Sequence, residues 1–208
     1  LYLRALKELA RIGDMEFMRV LTNASDEMTR GELRQLLRGE PMSFTEADYD
    51  ELIRAKTASL FRAACELGAM CGAGAYRSSL ARYGERLGMA FQVTDDLLDY
   101  TAAQEVTGKP SGLDLRERKM TLPLIAALRE MGVPERERVE ALFATESPGD
   151  ADIHEVITIV AAGGGLEYAR RRGEEFAAEA EDALDGLPDT PARAALVDAI
   201  AYVMERRS

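Results

Sequence analysis

Phe91-Gln92-Val93-Thr94-Asp95-Asp96-Leu97-Leu98-Asp99-Tyr100 is the stretch on which the reading of the fold turns. Gln92, Asp95, Asp96 and Asp99 recur at i, i+3, i+4 and i+7, so a helix carries all four on one face, with apolar neighbours directed to a core. Carboxylates crowded at a helix C-terminus repel one another and oppose the negative end of the helix dipole. A cation relieves both costs. Carboxylate oxygens are hard ligands that suit magnesium, which also keeps waters and accepts phosphate oxygens. On spacing alone a solvated acidic face is the stronger explanation, so the flanking residues have to decide.

Downstream runs a polar loop, Thr101 to Lys119, with Gly108, Pro110 and Gly112. Its glycines allow tight turns, so Lys109 and Lys119 can swing back toward the acidic helix end. Aspartates facing lysines suit a metal-bound diphosphate: metal bridges carboxylate to phosphate, and lysine neutralises the remaining charge.

Outward from this point the periodicity is helical and no useful alternating strand pattern occurs. Leu1, Leu6, Leu9 and Ile12 end a helix at Gly13, and Asp14 caps the next, with Phe17, Leu21, Ala24, Met28 and Leu36 near one face. Thr45-Glu46-Ala47-Asp48 resembles a capping box and opens a long helix to about Cys71. Ser78 or Ser79 caps the helix that ends near Tyr100. Further helices are predicted at about 120–131, 135–143, 153–162, 166–184 and 191–206. Short connections favour one packed helical bundle. The small-residue run Gly68 to Ala75 suggests close helix approach, Gly163-Gly164-Gly165 a helix break, and Arg170-Arg171-Arg172 a solvated face.

Composition narrows the class. With 208 residues, 47% hydrophobic and 30% charged, the chain fits one folded domain. A net charge of -11 argues against a nucleic-acid partner. Cys65, Cys71 and His154 are too few for a disulfide framework or a zinc site and read as structural, the cysteines as small core residues in a reduced cytosol. Met15, Met18 and Met70 read as core filler. The mostly apolar run Ile157 to Leu166 is too short to span a membrane, and no signal peptide is visible.

Together these residues resemble the trans-isoprenyl (polyprenyl) diphosphate synthases. Phe91 to Asp99 matches that family's second aspartate-rich motif, FQxxDDxxD. Gly108-Lys109 and Asp114 to Leu124 match the segment after it, Gly31 to Gln35 matches GExxQ, and Tyr49 to Phe61, centred on Lys56-Thr57, matches Y-x(6)-KT. The family's first aspartate-rich motif, DDxxD, and its basic isopentenyl diphosphate site lie upstream in the family and are not among these residues. The resemblance therefore implies an all-α bundle of the isoprenoid synthase type. It further implies one partial domain over 1–208, lacking N-terminal helices of roughly a hundred residues.

The implied reaction condenses isopentenyl diphosphate with an allylic diphosphate after magnesium-assisted ionisation, manganese being an alternative ion. Asp95 is implied as a direct metal ligand, with Asp96 and Asp99 binding directly or through water. Lys56, Lys109 and Lys119 would contact the allylic diphosphate. Thr57 and Gln92 would turn oxygen dipoles to the developing cation, and Phe91 would line the floor. Glu32 and Gln35 would lie near the allylic chain, while Asp114 would position the lysine loop. A cytoplasmic homodimer is implied by resemblance alone. Two alternatives remain open at this point: a non-catalytic subunit of a heteromeric prenyl synthase, and a terpene cyclase.

Overall fold

The computed structural model describes residues 2–36, 41–101 and 112–206. Helices account for the regular structure, and no strand occurs among the described residues. Helix α1 (Tyr2–Ile12) stops at Gly13, whose φ of +74° suits glycine. Helix α2 (Met15–Leu36) begins where Asp14 accepts the Glu16 backbone N–H at 2.8 Å. The Thr45–Asp48 capping box forms as predicted: Thr45 Oγ1 accepts from the Asp48 N–H at 3.2 Å, and the Asp48 carboxylate accepts the Thr45 N–H at 2.9 Å.

The helix opened by that cap is not uniform. Helix α3 (Glu46–Ile53) passes into a π-helical turn, Arg54–Ala58, before α4 (Ser59–Gly72). Periodicity cannot reveal such a turn, because one wider turn barely disturbs the apolar pattern. Close packing explains what holds it. A Cβ on Gly31 of α2 would stand 3.1 Å from the Lys56 backbone nitrogen. Helix α5 (Arg77–Thr101) presses from another direction: a Cβ on Gly88 would lie 2.6 Å from Ala58 Cα, and one on Gly84 2.5 Å from the Phe61 carbonyl oxygen. Gly31 and Gly88 thus let two helices close on the turn, and Gly84 lets α5 close on α4.

Helix α5 is the axis of the fold. It packs against α4 and against α10 (Gly165–Asp182), with α7 (Leu122–Glu130) and α11 (Pro191–Glu205) closing the remaining sides. The short α6 (Leu113–Arg116), α8 (Val133–Ala144) and α9 (Asp150–Ala162) complete the chain. Tyr49, Tyr83, Met89, Leu122, Leu124 and Leu184 are among the largest fully buried side chains. The glycine run at 163–165 breaks the helix: Gly164 has φ +72°, and a Cβ on Gly165 would meet the Pro123 carbonyl oxygen at 2.1 Å.

Several expectations are corrected. Ser78 and Ser79 lie inside α5 rather than capping it. Gly68, Gly72 and Gly74 have open space where a Cβ would go, so the close approaches fall on Gly31, Gly84, Gly88 and Gly165 instead. Arg172 is no solvated residue: it pairs with Glu46 at 3.3 Å, Asp50 at 3.4 Å and Glu175 at 2.5 Å, and stacks on Phe176. Cys71 and Met15 are exposed rather than core, and His154 is exposed as well.

Two glycine substitutions separate packing from propensity. Gly88→Ala forces overlap with the backbone of Ala58 and should destabilise by about 1–3 kcal/mol. Gly68→Ala, in an open helical position, should stabilise by about 0.5–1 kcal/mol. Urea unfolding of the two variants beside wild type checks both signs.

Candidate functional site

Four side chains from two helical runs make a continuous hydrogen-bonded chain through the interior. Tyr49 of α3 donates its hydroxyl to Asp96 Oδ2 at 2.6 Å. Gln92, one turn before Asp96 on α5, donates Nε2 to Asp96 Oδ1 at 2.8 Å. Thr57, in the π turn, donates its hydroxyl to Gln92 Oε1 at 2.7 Å. The π turn accounts for the reach. In a regular α-helix Thr57, eight residues after Tyr49, would sit about 80° round the axis from it. A wider turn uses more residues per revolution and takes up that offset, so both side chains meet the same stretch of α5.

Asp96 is 5% exposed, and both its oxygens are engaged. Burial pushes its carboxyl up to about 7, against the pull of the Tyr49 and Gln92 donors, and the charges of Asp114 and Asp95 add to the rise. Asp96 thus faces inward, with both oxygens held by side-chain donors.

The other two aspartates differ. Asp95 is half exposed and pairs at 2.6 Å with Arg206, which follows α11; the Arg206 guanidinium also lies 4.4 Å from the centre of the Phe91 ring. Phe91 in turn packs on Phe61, with centroids 5.3 Å apart. Asp99 accepts the backbone N–H groups of Leu113 and Asp114 at 3.0 and 2.9 Å, and its own carbonyl accepts the Gly112 N–H at 2.8 Å. Its carboxyl is raised, chiefly by burial and against the pull of those N–H groups. The chain therefore returns at Gly112 to the end of α5, and Asp99 fastens it there. The carboxylate repulsion inferred from the sequence is met internally: Asp95 has a guanidinium, Asp96 two side-chain donors and Asp99 two backbone donors.

The lysines are held by partners of their own. Lys56 Nζ donates to Gln35 Oε1 at 3.0 Å and pairs with Glu32 at 2.9 Å, so the structure brings Glu32 and Gln35 to Lys56. Lys119 pairs with Asp114 at 3.1 Å and Glu117 at 2.5 Å. Burial works against its charge, but these carboxylates leave its ammonium raised overall. Lys109 lies outside the described residues. Tyr49 and Arg206 received no role from the sequence. Tyr49 opens a recognised motif, which was its only signal, and Arg206 had none beyond its place in the closing helix.

The donors are oxygens, and Asp95 already carries a cation in the form of Arg206. Among the described residues no three histidine, cysteine, aspartate or glutamate side chains converge as a ready metal cage. Magnesium asks for less: one or two carboxylates, with waters and phosphate oxygens completing the shell. Asp95 and Asp99 fit that demand.

The raised carboxyl of Asp96 has a consequence for metal-free protein. A folded-state value near 7, above the usual carboxylate range, favours the fold fully below pH about 4, and the contribution is lost as pH rises through about 7. Wild-type stability, measured by urea unfolding relative to Asp96→Asn, should therefore fall between pH 4 and 8. A flat difference across that window contradicts the assignment.

Known proteins place the chain. A polyprenyl synthetase family model matches residues 1–160. The octaprenyl diphosphate synthase of Escherichia coli K12 is 37% identical over 209 aligned residues, which cover 100% of this chain and 64% of that protein. A polyprenyl synthase from Caulobacter crescentus CB15, solved with calcium and isoprenyl diphosphate, superimposes with a TM-score of 0.92 at 34% identity, covering 100% of this chain and 64% of the other. A decaprenyl diphosphate synthase from Rhodobacter capsulatus gives 0.90 at 36% identity, over 100% and 65%. The chain thus spans about 64% of the length of the curated relatives it matches. Its helical architecture is theirs, and its acidic helix, its π-turn Lys-Thr pair and its matched span agree that this chain belongs to the polyprenyl synthetase family.

Proposed function

We propose that the protein takes part in joining isopentenyl diphosphate to an allylic diphosphate, making a longer trans-prenyl diphosphate. The observation that carries this reading is the convergence of the Lys56–Thr57 turn on the acidic face of α5, through the Thr57–Gln92 hydrogen bond. In the reaction the allylic C–O bond breaks and diphosphate leaves with the electron pair. The double bond of isopentenyl diphosphate then forms the new C–C bond, and the adduct loses a proton. No protein nucleophile is needed, but developing charge must be met by groups already in place.

Lys56 and Lys119 are the cations available to diphosphate, and each is steadied in advance by neighbouring carboxylate or carboxamide groups. Lys109 joins them in this reading. Thr57 and Gln92 turn oxygen toward the allylic carbon, and the Phe91 ring supports it. Asp95 would hold magnesium or manganese directly, Asp99 would do so directly or through water, and Asp114 sets the position of Lys119. The metal, when bound, neutralises the departing diphosphate. Arg206 would have to leave Asp95 for a cation to be held there. The Caulobacter relative, held with calcium and isoprenyl diphosphate, supports a hard cation on this fold.

An apolar groove of about 580 Å³, lined by Tyr2, Ala5, Leu21, Met28 and Leu60 among others, offers surface for a prenyl chain. No helix among the described residues is long and apolar enough to cross a membrane. The two unpaired cysteines fit a reducing cytoplasm. Helix α1 buries no residue of its own, which fits assembly as a homodimer.

The test uses inorganic pyrophosphate and magnesium with thermal unfolding as readout. Together they should raise the Tm of the wild type, and either alone should do little. Asp95→Ala should raise the magnesium concentration needed for half the effect by about tenfold or more, while leaving ligand-free stability within about 1 kcal/mol. Wild-type behaviour in Asp95→Ala would remove Asp95 from the ligand set. Turnover of labelled isopentenyl diphosphate with an allylic primer completes the assay.

A further inference from the structure

Asp96 accepts a hydrogen bond on each of its two oxygens, and this gives the interior chain a direction. Tyr49 and Gln92 both donate to Asp96, at 2.6 and 2.8 Å. Gln92 must then present Nε2 to Asp96, which leaves Oε1 facing the π turn. Thr57 must in turn donate its hydroxyl proton to that oxygen, at 2.7 Å, which leaves its lone pairs free to point elsewhere. Each orientation follows from the one before it, and the fixed end is Tyr49, 1% exposed and packed in the main core.

We infer that Tyr49 is a positioning residue for diphosphate chemistry: through Asp96 it sets the polarity of the Gln92 carboxamide and of the Thr57 hydroxyl, and Asp96 anchors this relay instead of ligating metal. The inference rests on the diphosphate reading above. It assigns separate duties to two adjacent aspartates. Asp95, exposed, meets the cation. Asp96, buried, fixes which atoms of Gln92 and Thr57 face the substrate.

Because the chain has a direction, isosteric substitutions along it have distinct effects. Tyr49→Phe removes one hydroxyl and leaves the ring in the core. Asp96→Asn keeps the shape but replaces one acceptor by a donor, so Gln92 or Tyr49 must lose its partner or reverse. If the introduced carboxamide offers its NH2 to Gln92, the Gln92 side chain flips and Thr57 meets an NH2 group in place of an oxygen.

The experiment measures two quantities on wild type, Tyr49→Phe, Asp96→Asn, the double variant and Asp95→Ala. One is pyrophosphate affinity at saturating magnesium; the other is the magnesium concentration for half-saturation at fixed pyrophosphate. Ligand-free Tm confirms that each variant is folded. Tyr49→Phe and Asp96→Asn should each weaken pyrophosphate by about tenfold, and the double variant should be little worse than either. Their magnesium half-saturation should stay within about twofold of wild type, unlike that of Asp95→Ala. Where allylic turnover is measurable, kcat/KM should fall by at least the loss seen with pyrophosphate, because Lys56 shares the π turn with Thr57 and a turn released from Gln92 no longer presents it.

The inference is overturned if Asp96→Asn shifts magnesium half-saturation as Asp95→Ala does while Tyr49→Phe leaves it alone, since Asp96 would then be a ligand. Wild-type pyrophosphate affinity in Tyr49→Phe overturns it equally, as does full additivity in the double variant. A wild type that shows no magnesium-dependent response to pyrophosphate would instead remove the diphosphate reading, and this one with it. A responsive wild type confines any failure to the relay.

Discussion

A carboxylate enclosed at 5% exposure sets the terms for the helices around it. Burying a charged or polar group without partners costs several kcal/mol, so Asp96 demands donors wherever the backbone places it. Tyr49 and Gln92 meet that demand, one from across the helix interface and one from a turn earlier on the same helix. The requirement fixes the rotation of α3 against α5, because Tyr49 must arrive hydroxyl first. It also bears on the π turn, because Thr57 belongs to the same helical run and must reach Gln92 from a position that a regular helix would turn aside. Gly31 and Gly88 then make room for the wider turn. The polar chain and the small residues are parts of one packing solution.

The elements that were legible in the sequence are those whose cause is local. Gly13 ends α1 because a left-handed residue is needed there, and Thr45 with Asp48 starts α3 by satisfying each other's backbone N–H groups. Gly164 and Gly165 break the chain between α9 and α10, one by its φ and the other by the absence of a Cβ. The aspartate face of α5 was legible for the same reason, since helical spacing alone places it.

The features that were not legible depend on partners distant in sequence. Arg172 sits in a run of three arginines that reads as solvated, yet Glu46 and Asp50, far upstream, draw it inward and leave Arg170 and Arg171 outside. The π turn leaves no mark on apolar periodicity, and its cause is a set of glycines on two other helices. Asp96 and Asp95 are neighbours with equal chemistry on paper, and only the tertiary surroundings make one an interior acceptor and the other an exposed anion. A motif can name the residues of a site, but the division of labour among them is set by which side chains face water.

Arg206 shows how that division keeps the protein stable without a metal. Three carboxylates at the end of α5 would repel each other if all three faced solvent unpaired. Here one is folded inward onto neutral donors, one is bound by backbone N–H groups and one receives a guanidinium from the far end of the chain. The first two arrangements lie within the fold and are difficult to undo. The third joins two partly exposed side chains, where an ion pair is worth about 0–1 kcal/mol and competes readily with other cations. The weakest of the three pairings thus lies on the aspartate that is open to solvent. On the proposed reading, a divalent ion held at Asp95 would displace only this pairing and would leave the interior hydrogen-bonded chain of Tyr49, Asp96, Gln92 and Thr57 intact.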